Sequence, residues 1–372
     1  MQKSILTALA AALLFGISTP LAKLLLGHMT PVLLAGLLYL GSGIGLGLCL
    51  LLRRTFTGAA SHTAAQSATQ TSTQTANESS LQRSDLPWLA GAIVFGGIGG
   101  PILLMLGLAQ SSASGAALLL NLEGVLTALL AWFVVRENFD RRTLSGMLLI
   151  TAGGVLLVLE PGGSMTFTGG SLLIIAACAC WAIDNNLTRK ISASDALQIA
   201  TIKGLVAALV NLALAWQLGA AWPPTSMAVM AGLIGFAGYG LSLVLFVVAL
   251  RELGSARTGA YFSAAPMVGA ALSLVLLQEA PDMLFWCAAL LMGAGLILHW
   301  HEHHHHEHHH DPLTHAHPHT HDPSQIDGLH HQHKHAGQEA VNAALGHTHR
   351  HTHTELPHSH PHFPDIHHRH EH

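Results

Sequence analysis

Glu123 is the residue whose chemistry most needs explaining. It lies between Leu122 and Gly124 inside an apolar run from about 113 to 135. An ionised carboxylate at such a place costs at least a few kcal/mol unless it is paired or hydrated. Either the group stays protonated or it belongs to a pathway for protons, cations or solute. Asn121 is close in sequence, and Thr127 follows one helical turn on, on the same face. A second polar cluster, Asp184-Asn185-Asn186, interrupts the apolar run 169–188. Cys180, Asp184 and Thr188 share a helical face at i, i+4 and i+8, and with Asn185 they suit the lining of a polar cavity. Thiolate with carboxylate suits a borderline transition metal, whereas Asp and Asn alone suit a proton or a polar solute. Lys203, about two turns into the run 197–218, either neutralises Glu123 or Asp184, binds an anionic solute, or reaches for the interface. Ser18, Thr19 and Pro20 are expected to kink the first apolar run and free backbone carbonyls toward a substrate.

The C-terminal stretch offers different chemistry. Of the 30 histidines, 28 lie between 299 and 372. His301, His303, His304, His305, His306, His308, His309 and His310 are interrupted only by Glu302 and Glu307, and His315, His317, His319 and His321 then alternate with other residues. His330, His331, His333 and His335 follow, then His347, His349, His351 and His353. Neutral imidazole suits zinc, nickel, cobalt and copper. No C-x-x-C pair accompanies them, so several exchangeable divalent sites are predicted rather than one structural zinc. With almost no apolar residues, 301–372 is expected to be disordered without metal.

Composition says what must position these groups. The chain of 372 residues is 50% hydrophobic and 10% charged, against about 25% charged in soluble domains. Residues 1–298 carry only 24 charges, net +2, while the tail carries a net −6 with His neutral. Such a body cannot cover itself with polar side chains, which excludes a soluble enzyme, and it has no basic patch for nucleic acid. No G-x-x-x-x-G-K-[ST] motif marks an ATP site, and no nucleophile constellation points to enzyme activity. Cys49, Cys178, Cys180 and Cys287 sit in apolar runs as small packing residues, not as a disulfide framework.

Ten apolar runs are long enough to span hydrocarbon, at about 4–26, 31–52, 86–108, 113–135, 142–160, 169–188, 197–218, 226–250, 256–277 and 282–300. In lipid they must be helices, and clusters such as Gly96-Gly97-Ile98-Gly99-Gly100 let helix backbones approach closely. The Ser/Thr/Gln-rich segment 55–84 reads as a polar loop. Lys3 ahead of the first run resembles a signal peptide, but the run has a counterpart later in the chain and is expected to be retained. With the N-terminus in the cytoplasm, eleven Lys and Arg (Lys3, Arg53, Arg54, Arg83, Arg136, Arg141, Arg142, Arg189, Lys190, Arg251 and Arg257) fall on the cytoplasmic side and only Lys23 opposite. Ten spans then put both termini, and the His tail, inside a bacterial-type inner membrane.

The two halves repeat. Phe15-Gly-Ile-Ser-Thr-Pro-Leu-Ala-Lys23 aligns with Trp181-Ala-Ile-Asp-Asn-Asn-Leu-Thr-Arg189 at an offset of 166. Ala128, Leu130, Glu137, Asp140, Leu148, Ala152 and Gly153 align with Ala270, Leu272, Glu279, Asp282, Leu290, Ala294 and Gly295 at an offset of 142. The difference of 24 fits the extra loop at 55–84. Five helices per copy flip the second copy across the membrane. In these features the chain resembles ten-helix members of the drug/metabolite transporter superfamily, of the EamA type. The resemblance implies an all-α membrane protein with ten transmembrane helices in two inverted five-helix repeats, 1–160 and 169–300, followed by the tail 301–372. It also implies secondary transport of small solutes, without a required cofactor. Its partners would be the lipid bilayer, a small-molecule or ion substrate and, in an oligomer, a second copy as a homodimer.

Two functions remain open on sequence alone: a proton-coupled exporter of small metabolites or drugs, and a Ni, Co or Zn exporter whose tail collects metal. A membrane-bound metal store fits less well, since buried charges in an inverted repeat serve no purpose there. Glu137 and Glu279, at helix ends, are expected to hold loops in place.

Overall fold

The structure is a computed structural model that describes residues 2–64, 81–130, 132–133, 141–158, 169–192, 194–253 and 255–300, and in the tail 307–308, 314–319, 347–352 and 358–359. Contacts divide the chain into a membrane unit, Met1–Glu302, and a tail unit from His303 onward.

In the membrane unit every apolar run becomes a helix or a pair of stacked helices. These are α1 (Gln2–Leu25), α2 (Pro31–Ala64), α3 (Leu86–Ala92) and α4 (Gly100–Ala109), then α5 (Ala113–Leu119), α6 (Leu122–Leu130) and α7 (Arg141–Val158). The second half holds α8 (Gly169–Ile191), α9 (Ala196–Gln217), α10 (Thr225–Gly235), α11 (Ser242–Leu253), α12 (Ser255–Phe262), α13 (Ala264–Leu276) and α14 (Met283–Trp300). Among the described residues seven stretches are long and apolar enough to cross a membrane, and Leu144–Val158, Ala264–Leu276 and Met283–Leu298 are shorter apolar helices. These ten segments fall on the ten runs read from the sequence. Large apolar side chains point outward around the bundle, for example Leu209 at 69% and Leu290 at 74% exposure. Water would not tolerate that surface in bulk, whereas acyl chains do.

Three details depart from the sequence reading. The second helix continues to Ala64, past its expected end at 52, because Thr57-Gly-Ala-Ala gives helix propagation nothing stronger to compete with than a single glycine. The fourth run is not continuous: the helix breaks between Leu119 and Leu122, where Asn121 N bonds Leu118 O and Glu123 N bonds Leu120 O. Glu123 therefore sits in the first turn of α6 rather than mid-helix. The second half breaks at the matching place, Ser263, between α12 and α13, and 121 and 263 differ by the repeat offset of 142. Conversely, α1 runs unbroken through Pro20, so the expected break at Ser18-Thr19-Pro20 is absent. Proline removes one N–H from the ladder, and the Ser18 hydroxyl donates to Phe15 O at 2.6 Å, inside the buried face of the helix.

Two π-helical turns, Ile93–Gly99 between α3 and α4 and Phe236–Leu241 between α10 and α11, also correspond at an offset near 142. The aligned glycines Gly153 and Gly295 pack α7 against α14. A Cβ on Gly153 would lie 2.9 Å from Ala288 O, and one on Gly295 would lie 2.7 Å from Gly146 O. The faint repeat in the sequence is thus a repeat of packing contacts.

In the tail, where the sequence reading expects no regular structure, Thr314–His319 pairs antiparallel with His347–Thr352, and Glu307–His308 with His358–Ser359. The period-two spacing of the histidines matches a strand, and the register sets His315 opposite His351, His317 opposite His349 and His319 opposite His347. Apart from His308, His315, His317 and His319, the candidate metal-binding histidines from His301 to His321 lie outside the described residues.

Candidate functional site

Pro101 is the sequence origin of the site's geometry. It has no N–H to offer Gly97 O in α-helical register or Gly96 O in π register, so both carbonyls look elsewhere. Gly96 O accepts from Tyr39 OH at 2.7 Å and Trp181 Nε1 at 3.1 Å, and Gly97 O accepts from Asn211 Nδ2 at 3.1 Å. The π turn between α3 and α4 is thereby bound to α2, α8 and α9, and the aromatic rings of Tyr39 and Trp181 are fixed.

Asp184 of α8 faces this turn and is bound from both sides. Its Oδ2 takes the ammonium of Lys203, and its Oδ1 accepts from Thr188 Oγ at 3.0 Å. Both partners are buried, with side-chain exposures of 7% and 3%. A charged pair in that setting persists only if each member stays occupied. Gly96 is required opposite it, since an added Cβ would occupy the position of the Asp184 carboxylate. Gly96→Val is therefore expected to displace Asp184 from Lys203 and abolish transport. A variant retaining more than half the wild-type transport rate at equal membrane abundance would contradict this placement.

Glu123 approaches from the other half. Asn185, beside Asp184, donates to Glu123 Oε1 at 2.8 Å and also reaches Thr127 Oγ at 3.3 Å, while Asn186 donates to Thr127 O at 3.2 Å. The break before α6 gives the carboxylate its freedom to meet α8. Glu123, Asp184, Asn185 and Lys203 line one cavity of about 70 Å³, room for several waters. Its walls are the rings of Phe15, Tyr39, Trp181, Tyr239, Phe246 and Phe262. Phe15 is the hub, with ring centroids 5.9 Å from Trp181, 5.8 Å from Tyr239 and 5.5 Å from Phe262.

Of the residues singled out by sequence, Glu123, Asp184, Asn185 and Lys203 meet at the cavity, and Thr127 and Thr188 buttress them. Asn121 does not join: its amide donates to Leu118 O and lies against the Met267 and Met292 sulfurs. Ser18 packs at the π turn through Gly238, and Pro20 lies inside α1. Sequence reasoning missed the aromatic walls and Asn211. A signal existed for two of them, because Phe15 and Trp181 are equivalent positions of the repeat. Among the described residues no group of three or more His, Cys, Asp or Glu side chains comes together, and the four cysteines form no disulfide.

A second charged arrangement closes the loop between α4 and α5. Lys23 at the end of α1 donates to Leu108 O at 2.6 Å and Ser111 O at 2.7 Å, covering the C-terminal carbonyls of α4. Glu279 accepts from the N–H groups of Ala113 at 2.7 Å and Ser114 at 2.9 Å, covering the N-terminus of α5. Gln278, with φ of +50°, turns the chain so that Glu279 can reach back. Opposite charges thus hold opposite helix dipole ends, in keeping with the loop role expected for Glu279. Asp282, three residues on, caps α14 through Phe285 N at 2.9 Å, while the matching Glu137 and Asp140 lie outside the described residues. Glu279→Ala should cost about 1–2 kcal/mol and expose a cysteine placed at the buried Ala113 to a membrane-impermeant thiol reagent. Unchanged melting and unchanged labelling would contradict that role.

Comparison with known proteins agrees with this architecture. The chain is 27% identical over 303 residues to an uncharacterized transporter of Methanothermobacter thermautotrophicus, covering 80% of this chain and 86% of the relative. It is 25% identical over 203 residues to the uncharacterized transporter YyaM of Bacillus subtilis, covering 51% of this chain and 65% of the relative. A crystal structure of a protein 20% identical in sequence superposes with a TM-score of 0.59, over 80% of this chain and 97% of the other, and shares the fold. The sequence model of the EamA-like transporter family matches residues 2–159 and 168–300, so nearly all of the membrane unit is accounted for and the chain belongs to that family of membrane transporters.

Proposed function

We propose that the protein is a proton-coupled secondary exporter of small solutes in a bacterial-type inner membrane, with both termini in the cytoplasm. One observation carries the reading: Glu123 from the first half and Asp184 and Lys203 from the second line a single cavity. Polar groups at a repeat interface are where alternating-access transporters bind their cargo. Within that cavity Asp184 and Lys203 balance each other, which leaves Glu123 as the carboxylate able to take up and release a proton while solute comes and goes. The other titratable groups lining the space are Tyr39 and Tyr239, with Cys178 of α8 packed behind Glu123 against Leu119 O. Full-length protein in vesicles, with an imposed pH gradient and a pH-sensitive dye inside, tests the proposal: solute addition should release protons in wild type and not in Glu123→Gln.

A second reading, export of Ni, Co or Zn, rests on the tail. Tethering histidines near a pore raises local metal concentration to about the millimolar range. The cavity offers such an ion carboxylates and an amide but no imidazole, which favours an organic solute. The expected outcome is that deleting 301–372 lowers the number of Zn or Ni ions bound per chain and leaves solute flux intact. Loss of metal tolerance in cells on both the deletion and Glu123→Gln would establish the metal reading instead.

A further inference from the structure

We propose that the cargo is a small organic monocation, an ammonium or amine with an apolar flank, held between Glu123 and the aromatic walls. This rests on the transport reading of the same cavity and names the class of solute it accepts.

The inference comes from counting what the cavity leaves unanswered. Three charged side chains face it: Glu123, Asp184 and Lys203. The Lys203 ammonium is committed to Asp184, and both Asp184 oxygens are occupied, by Lys203 and by Thr188. Glu123 receives one neutral donor, the Asn185 amide on Oε1, and among the described residues nothing bonds its second oxygen. The lining therefore carries one negative charge that no protein cation balances. Within a membrane-spanning bundle, a proton or a cation is what balances such a charge.

The other polar groups point the same way. An anionic or zwitterionic cargo needs a donor for its carboxylate or phosphate. The Tyr39 hydroxyl and the Trp181 indole N–H are spent on Gly96 O, and the Ser242 hydroxyl donates to Ala11 O at 2.8 Å. The Tyr239 hydroxyl, buried and without a hydrogen-bond partner among the described residues, is the one donor left on the lining, and it brings no positive charge to balance a second anion. A zwitterion would set its own carboxylate in a cavity that already has one too many, whereas a monocation brings the sum to zero. The walls complete the match. Aromatic faces attract cations, and six rings line this space. They also accept the apolar remainder of the cargo by burial.

Four molecules that share a four-carbon chain and differ in charge test this: butylammonium, 1-butanol, butyrate and 4-aminobutyrate. Their binding to purified full-length protein in detergent is measured by titration calorimetry, and their flux in vesicles under a pH gradient. Butylammonium alone should bind with measurable heat and be transported. Its affinity should fall about a hundredfold in Glu123→Gln, since the cation then meets no counter-charge. Trp181→Leu should weaken butylammonium and leave the Glu123 dependence in place. If butanol binds as well as butylammonium, or if no cation binds at millimolar concentration, the proposed class is wrong. Proton-driven flux of butyrate or 4-aminobutyrate would overturn the class while upholding transport. Glu123-dependent binding of butylammonium without flux would uphold the class and overturn the transport reading.

Discussion

Lys203→Met is expected to destabilise the folded membrane unit by about 3–5 kcal/mol, the usual penalty for leaving one member of a buried ion pair alone. Asp184 would keep only the Thr188 hydroxyl at 3.0 Å, in a site whose residues are almost entirely shielded. Asp184→Asn alone carries a similar penalty from the other side, with a buried ammonium left without its counter-charge. Combining the two substitutions removes both charges at once. The double variant should recover most of the loss, because neutral groups of similar shape satisfy a buried site nearly as well as an ion pair does. Thermal unfolding in detergent for the two single variants and the double variant forms a complete cycle. An interaction energy near zero would mean that the two charges do not depend on each other and that the site has been misread.

The residues of the ion pair and of Glu123 were legible before any coordinates, and the reason is the solvent. Lipid makes an ionisable side chain within a span rare, so each one that appears has to be answered by something. What lipid does not mark is which aromatic ring faces a cavity. Phe246 and Phe262 lie in largely apolar runs, and nothing in their type separates a wall from a packing residue. Tyr39 became readable only once Pro101 was seen to withhold an N–H from Gly96 and Gly97, a relation that joins it to Trp181 across three spans far apart in sequence. The break expected at Pro20 is absent for a related reason: one missing bond on a helix packed along its length costs less than unpacking it. The break before Glu123 had no proline to announce it. Its counterpart at Ser263, three residues ahead of Pro266, is the better-marked copy of the same break, so the internal repeat held information that either half alone lacked.

Glu123→Gln is expected to lower proton-driven transport by about a hundredfold or more, equivalent to roughly 3 kcal/mol, without unfolding the protein. The amide has the size of the carboxyl group, and its oxygen still accepts from Asn185 at the position now 2.8 Å away. Packing around α6 and α8 therefore survives, and the melting temperature should match wild type. What disappears is the exchangeable charge. Glutamine neither binds a proton reversibly at neutral pH nor balances a cation, so solute addition should release no protons. Flux should also lose its dependence on pH across the range where the carboxylate of wild type responds. Glu123→Asp separates charge from reach: the charge remains but lies one methylene short of Asn185, so partial activity with retained proton coupling is expected. If Glu123→Gln transports at wild-type rate under a pH gradient, the coupling group is elsewhere. If Glu123→Asp is as inactive as Glu123→Gln, then the distance to α8 matters as much as the charge, and the break that places Glu123 at the start of α6 is itself part of the transport cycle.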